Sequence, residues 1–183
     1  MMTLLAADAR MFLARNGRGE ALRWRQGLRL FFLTPGFQLV FWLRMQRAAA
    51  RLPVLGPVLR RILWYWMRLC FSSDVDTQAQ LGPGLCIPHP FGIVIGAGVR
   101  IGRGVTLGQK VTLGRAGTAH VYPQIGDGAD LGAGAAILGA IRIGAGARIG
   151  ANSVVLKDVP DGAYAAGAPA WLQPGGKEQS RWP

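Results

Sequence analysis

The chain has 183 residues, of which 50% are hydrophobic, so it can bury the core of one domain or of one domain with a helical appendage. Its two cysteines are too few for a disulfide framework, and no stretch of about 18 uncharged apolar residues is present to span a membrane. The net charge of +12 is concentrated in residues 1–73, which carry 12 arginines and two acids, whereas residues 74–183 carry a net charge of only +2.

The basic region, residues 1–73, has the pattern of short helices separated by breaks. Residues 1–26 predict a short helix followed by an arginine-rich loop. A helix is predicted over 37–51, after the break at 34–36, and another over 58–71, which is rich in aromatic residues. The first of these two helices carries three arginines on one face: Arg44, Arg47 and Arg51.

Arginine and aromatic residues together are typical of a helix at a membrane interface, where the cation meets lipid phosphates and the ring lies among the headgroups. The alternative is that these helices pack in an oligomer and their arginines are solvated. The residues leave both hypotheses open, whereas nucleic-acid binding is disfavoured because no recognised nucleic-acid module accompanies the charge. Asp8 and Arg10 interrupt any apolar leader segment, so we expect a cytoplasmic protein. If the helices do lie at a membrane interface, we expect peripheral contact at the inner face of the membrane.

From about Leu81 onward, aliphatic residues recur with a step of six, and glycine follows most of them. The clearest members of the series are Ile95, Ile101, Leu107, Leu113, Ile125, Leu131, Ile137, Ile143, Ile149 and Val155. This step matches neither the helical period of 3.6 nor the strand period of 2, and it is typical of a hexapeptide β-helix. We therefore predict a mainly β fold, with a parallel β-helix over 74–172, a short α-helical region over 1–73 and a flexible tail over 173–183.

The repeat is irregular in two places. It slips by two residues around His89, and the segment 115–124 separates two anchors that lie twelve residues apart, which predicts an extruded loop. Extruded loops on solenoids usually carry function. His89 lies between two prolines in the first irregular segment, a setting that suits a positioned general base. With His120 as the only other histidine, the chain lacks the three histidines of a β-helical zinc site, and we expect no metal.

Several motifs along residues 74–171 resemble the serine acetyltransferase group of left-handed β-helix acyltransferases. They are Asp74-Val75-Asp76, Leu81-Gly82, His89, Gly92 to Gly96, Val111 to Gly114, Gly132 to Ala135, Ile137 to Gly139, Gly150 to Val155 and Ala166 to Ala170. The resemblance implies a left-handed β-helix and a homotrimer that binds acetyl-CoA in clefts between neighbouring β-helices. It also implies a catalytic dyad of His89 and Asp74 that activates an acceptor hydroxyl. Asp76 is the competing candidate for the aspartate.

The resemblance further implies that backbone groups bind acetyl-CoA at Gly114, Ala133, Ala151 and Gly167. A site lined by alanine and glycine fits this role because a pantetheine arm needs close approach more than side-chain chemistry. Cys86 has no partner base in the sequence pattern and is expected to be buried, so we expect direct transfer without an acyl-enzyme intermediate.

The chain departs from the family where the acceptor is bound. Pro88 stands in place of an aspartate, and Val121-Tyr122 stands in place of an Arg-His pair. These changes make the chain resemble exopolysaccharide acetyltransferases of the colanic-acid type, with Tyr122 and His120 as the predicted substrate-binding residues. We therefore expect an acetyl-CoA-dependent O-acetyltransferase acting on a sugar hydroxyl in cell-surface glycan synthesis. L-Serine is the alternative acceptor, and a non-catalytic trimeric scaffold is the alternative of another class.

Overall fold

The computed structural model describes residues 1–15, 17, 24–49, 52–118 and 120–173. Within these described residues, the N-terminal region contains four helices: α1 Met2–Arg15, α2 Trp24–Leu33, α3 Pro35–Ala49 and α4 Gly56–Phe71. Helices α3 and α4 each begin two residues before their predicted starts. Helix α2 was not predicted, although its apolar residues Trp24, Leu28 and Phe32 recur every four residues, as on one face of a helix.

In the part of the chain that the structure describes, fourteen short strands follow the helices, in agreement with the predicted β-helix. They are β1 Asp74–Val75, β2 Gln80–Leu81, β3 Val94–Ile95, β4 Arg100–Ile101, β5 Thr106–Leu107, β6 Thr112–Gly114, β7 Gln124–Ile125, β8 Asp130–Leu131, β9 Ala136–Leu138, β10 Arg142–Ile143, β11 Arg148–Ile149, β12 Val154–Val155, β13 Tyr164–Gly167 and β14 Ala170–Leu172. The first sheet has the order β1-β3-β6-β9-β12, the second β2-β4-β7-β10 and the third β5-β8-β11-β13-β14. Every strand pair is parallel except β13 with β14.

The pairing register shows how long each coil of the β-helix is. Ile95 pairs with Leu113, so a regular coil has 18 residues. Val75 pairs with Ile95, so the coil that contains His89 has 20, two more than a regular one. Leu113 pairs with Ile137, so the coil that contains the segment after β6 has 24. Both irregularities predicted from the repeat are therefore confirmed, and the six additional residues of the longer coil form the extruded loop.

The period-six aliphatic residues form the core of the β-helix. All ten members of the series from Ile95 to Val155 are at most 4% exposed. Glycine at the corners allows successive coils to approach closely. A Cβ atom on Gly108 would lie 2.5 Å from the nitrogen of Ala133, and one on Gly132 would lie 2.6 Å from the nitrogen of Ala151. These two corners accept only glycine, since backbone cannot move aside for a methyl group.

A buried ion pair fastens the helices to the β-helix. The guanidinium of Arg44 donates to both carboxylate oxygens of Asp8 at 3.0 Å and to the carbonyl of Leu81 at 2.7 Å. The backbone nitrogen of Leu85 also donates to Asp8, at 2.9 Å. A buried pair of this kind requires its full set of hydrogen bonds to offset desolvation, so it fixes how the two regions dock.

This ion pair corrects the prediction of an exposed basic face on α3. Arg44 is buried, and Arg47 is partly buried, so that desolvation lowers the pKa of Arg47 to about 10, with repulsion from Arg44 contributing. Arg51 lies outside the described residues, as does the predicted tail beyond residue 173. Among the described residues, no helix is both long enough and apolar enough to cross a bilayer.

Candidate active site

His89 lies in the turn at residues 88–92, where the chain passes from the third sheet into the first. Its side chain is exposed, whereas Ile87 and Pro90 on either side of the turn are buried. The hydroxyl of Ser73 donates to the carbonyl of Pro90 at 2.7 Å and accepts from the nitrogen of Ile93 at 3.1 Å. The backbone on both sides of His89 is therefore held in place, as a general base requires if it is to stay within reach of its substrate.

Helix α3 packs against the same turn. A Cβ atom on Gly36 would lie 2.0 Å from the carbonyl oxygen of Ile87 and 3.0 Å from that of Pro88. Only a glycine at the start of α3 permits this contact, which supports the turn from the side of the helices. In the sequence, Gly36 falls within the predicted break at 34–36, and its place directly after Pro35 gives no sign of this contact.

Asp74 begins β1 and lies half-buried beneath α4. The indole nitrogen of Trp64 donates to Oδ1 at 3.0 Å, and the guanidinium of Arg68 donates to Oδ2 at 2.6 Å. The guanidinium also lies over the Trp64 ring, 4.7 Å from its centroid. Trp64 and Arg68 were missed as site residues, although their spacing of four on a predicted helix places them on one face.

The structure brings the two predicted dyad residues, His89 and Asp74, into the same neighbourhood without a hydrogen bond between them. Ser73, which precedes Asp74, holds the carbonyl of Pro90, which follows His89. No hydrogen bond between His89 and Asp74 is present among the described residues, where the bonds to this carboxylate from side chains come from α4. The competing candidate Asp76 uses Oδ1 to accept the backbone nitrogen of Gln78 at 2.8 Å, which is a local turn.

Three of the four predicted cofactor positions line up with His89 along one edge of the β-helix. We call this edge, formed by the turns from the third sheet into the first, the His89 edge; its turns are 88–92, 108–111, 132–135 and 150–153. Hydrogen bonds connect each turn to the next: Lys110 N to Phe91 O at 2.9 Å, Gly134 N to Gln109 O at 2.7 Å, and Asn152 N to Ala133 O at 2.8 Å.

The His89 edge ends at Gly167, whose nitrogen donates to the hydroxyl of Ser153 at 3.2 Å. With coils spaced about 4.8 Å apart, Gly167 lies about 19 Å along the edge from His89. Ala133 and Ala151 occupy the turns between them. Gly114 does not belong to this edge, because it ends β6 at the far side of the first sheet and accepts the nitrogen of Gly139 at 3.0 Å.

The predicted substrate residues also lie on the far side of the first sheet. The ring of Tyr122 packs on the glycines that follow β3, since a Cβ atom on Gly96 would lie 2.7 Å from the ring and one on Gly98 would lie 2.3 Å from it. His120, on the extruded loop, is exposed. Within one protomer the first sheet therefore separates these two residues from His89.

The burial of Cys86 determines the protonation state of its thiol. Cys86 is fully buried, as expected, and burial raises the pKa of its thiol to about 12, so this cysteine is protonated at neutral pH and is no nucleophile.

In the part of the chain that the structure describes, no three side chains of His, Cys, Asp or Glu cluster in a way that could hold a metal ion.

Comparison with known proteins identifies the family. No protein-family model matches the chain. It is 36% identical over 179 residues to the serine acetyltransferase of Synechococcus elongatus, a match that covers 92% of this chain and 67% of the relative. The chain belongs to the serine acetyltransferase family. It is similar to the soybean serine acetyltransferase complexed with serine, at a TM-score of 0.80 and 34% identity, covering 93% of this chain and 68% of that one. The serine acetyltransferase of Brucella abortus in complex with coenzyme A gives a TM-score of 0.77 and 28% identity, covering 92% and 66%.

The family confirms the predicted resemblance, the β-helix fold and the enzyme class, an acetyl-CoA-dependent O-acetyltransferase. These relatives are serine acetyltransferases, so the finer prediction of an enzyme of the colanic-acid type gains no support from them. The chain spans two thirds of the cyanobacterial relative, and it spans 36% of the chloroplastic serine acetyltransferase 1 of Arabidopsis thaliana, to which it is 46% identical over 115 residues.

Proposed function

We propose that this serine acetyltransferase family member transfers the acetyl group of acetyl-CoA to the hydroxyl of L-serine, with His89 as the general base. The observation that carries the proposal is the His89 edge, which has an exposed imidazole at one end and alanine and glycine turns along about 19 Å of backbone. The choice of L-serine rests on the family and on the soybean relative that is complexed with serine.

In the proposed reaction, His89 accepts the proton of the acceptor hydroxyl while the oxygen attacks the thioester carbonyl. Backbone N–H groups stabilise the oxyanion of the tetrahedral intermediate. The intermediate expels the thiolate of coenzyme A, which takes the proton from the imidazolium, and the products are the acetyl ester and free coenzyme A. Imidazole suits both steps because its ordinary pKa lies near neutrality. Cys86 takes no part.

Asp74 is proposed to orient the imidazole and stabilise the imidazolium. Its carboxylate already accepts hydrogen bonds from Trp64 and Arg68. An ionised carboxylate has about four acceptor positions, so it can also accept the ring N–H of His89. Under this proposal Trp64 and Arg68 hold Asp74 in place from α4, while the Ser73 hydrogen bonds hold the turn that carries the base.

Acetyl-CoA is proposed to lie along the His89 edge, past Ala133 and Ala151 toward Gly167. Side chains no larger than a methyl group leave the backbone of these turns open to a pantetheine arm. The predicted contact at Gly114 and the acceptor contacts at Tyr122 and His120 lie across the first sheet of the same protomer. We propose that a neighbouring protomer of a homotrimer brings its own copies of these residues to the His89 edge, so that each site lies between two β-helices.

A sugar hydroxyl is the second candidate acceptor. The residues that favour it are Pro88, beside His89, and Val121-Tyr122 on the loop. The family resemblance implies charged residues at these positions, which would bind the charged groups of an amino acid. A site that lacks buried polar partners discriminates against the substrate that needs them. Tyr122 offers an aromatic ring and a hydroxyl, which suit a sugar.

The test is coenzyme A release from acetyl-CoA, followed by chromatography, with L-serine, nucleotide sugars or a lipid-linked glycan as the acceptor. Saturable release with L-serine, lost in H89A, supports the proposal. Release with a sugar and none with L-serine would replace the acceptor and keep the chemistry. Binding of acetyl-CoA with no release for any acceptor would favour the non-catalytic scaffold.

A further inference from the structure

Helix α4 has two apolar stripes on opposite sides. One faces the protein: Gly56, Met67 and Phe71 are buried, and Leu63 and Trp64 are partly buried. The opposite stripe is exposed and equally apolar: Val58 61%, Leu59 38%, Ile62 57%, Tyr65 62%, Trp66 49% and Leu69 82%. A contiguous apolar stripe of this length on a surface marks an interaction site.

The charge beside this stripe has one sign. Helix α4 contains Arg60, Arg61 and Arg68 and no acidic residue. Arg60 donates to Thr77 and Arg68 donates to Asp74, both on the β-helix, so the exposed Arg61 is the arginine that borders the stripe. Arg61 lies over the rings of Trp64 and Tyr65, at 5.4 Å and 5.9 Å from their centroids, and so stands at the margin of the apolar stripe.

Helix α2 repeats the pattern. Trp24, Leu28 and Phe32 recur every four residues with exposures of 71%, 50% and 67%. Arg25 and Arg29 lie beside them, and the helix contains no acidic residue. Two helices of the basic region therefore present apolar and aromatic side chains flanked by arginines.

We propose that the exposed stripe of α4 docks on an anionic phospholipid surface. Leu69, Ile62 and Val58 would enter the interfacial layer, Tyr65 and Trp66 would lie at headgroup level, and Arg61, with Arg25 and Arg29 of α2, would meet phosphates. The helix would lie along the membrane plane rather than cross it, in accord with its 16 residues and three arginines.

The charge distribution favours a lipid surface over an isologous contact between two copies of α4. In an isologous contact the same surface patch meets itself, so Arg61 of each copy would lie near that of the other with no carboxylate on α4 to pair with it. An anionic membrane supplies the missing countercharge. The inference is independent of the acceptor, since it concerns a face of α4 opposite the one that contacts Asp74.

The test is co-sedimentation of the full-length protein with vesicles of phosphatidylcholine alone and of phosphatidylcholine mixed with phosphatidylglycerol. We expect binding only to the anionic vesicles, with a steep loss when the salt rises from about 0.1 M to about 0.5 M. L69E and I62E should each weaken binding by roughly ten-fold or more. L156E is the matched control, because Leu156 is 51% exposed on the β-helix, and it should bind like the unmodified protein.

Circular dichroism and thermal melting establish that each variant is folded, and R61Q provides a second, milder variant of the same face. Equal binding by L69E, R61Q and the unmodified protein would overturn the proposal, as would binding to neither kind of vesicle. A change in oligomeric state of L69E by light scattering, with vesicle binding unaltered, would assign the stripe to a contact between copies instead.

Discussion

The β-helix and the helical region use similar apolar residues in opposite ways. In the β-helix the aliphatic residues of the series from Ile95 to Val155 all point inward and are nearly inaccessible. In α4, leucine, isoleucine and valine side chains of the same kind point outward. The β-helix completes its core within one chain, coil upon coil, whereas α4 buries one side against the protein and leaves the other side exposed.

The two regions also differ in how they use charge. Aspartates of the β-helix accept backbone N–H groups at its turns: Asp127 accepts from Arg103, Asp158 from Arg142 and Asp161 from Ala145, each at 2.8 Å. Asp8 of the helical region is instead buried against Arg44. Acids of both regions thus serve the fold, and residues 1–73 hold far more arginines than the two acids of that region could pair.

The largest expected effect compares one substitution in the two regions. I143D would bury an unpaired carboxylate in a core that is 0% exposed, at a cost of several kcal/mol. We expect loss of folded, soluble protein, measured by circular dichroism and light scattering. L69D, on the exposed stripe of α4, should melt within a few degrees of the unmodified protein. Normal folding of I143D would contradict the inward orientation of the period-six residues.

The second effect is on catalysis. H89A should lower turnover by roughly 10²–10⁴ while acetyl-CoA affinity changes little, because a general base acts in the transition state. Steady-state rates and calorimetric titration with acetyl-CoA measure the two quantities. Full activity of H89A would remove the imidazole from the mechanism and leave the His89 edge as a binding surface only.

The β-helix was predictable because each coil repeats the same short strands and glycine-containing turns. The step of six therefore indicated the core residues, the corners and both irregular segments. The helical region has no such repeat. Helix α2 was missed although Trp24, Leu28 and Phe32 have helical spacing, and the burial of Arg44 depends on Asp8, 36 residues away in sequence. Similarly, His89 stood out as one of two histidines, whereas Trp64 and Arg68 joined the site only through the packing of α4 on β1.

The next prediction separates the two candidate aspartates. D74N should lower turnover by roughly ten-fold, less than H89A, because the amide no longer stabilises the imidazolium. D76N should have a smaller effect, since Asp76 accepts a local backbone N–H from Gln78. Parallel measurement of kcat for the two variants decides between them, and a larger loss in D76N would reassign the dyad.

The smallest expected effect concerns the link from α4 to the dyad. Arg68 and Asp74 are about half exposed, at 47% and 43%, so water and salt screen their ion pair. Trp64 also holds the carboxylate. We therefore expect R68Q to lower kcat only about two- to five-fold, with the KM for acetyl-CoA unchanged, because the remaining hydrogen bond still positions Asp74.

The controls separate position from charge. R68K keeps the cation without the planar guanidinium and should recover part of the loss, whereas R142Q, at an exposed arginine of the β-helix, should leave kcat unchanged. The double variant D74N/R68Q should be no slower than D74N, since Arg68 acts through that carboxylate. An additive loss in the double variant would show that Arg68 affects the reaction by another route and that α4 does not hold the dyad.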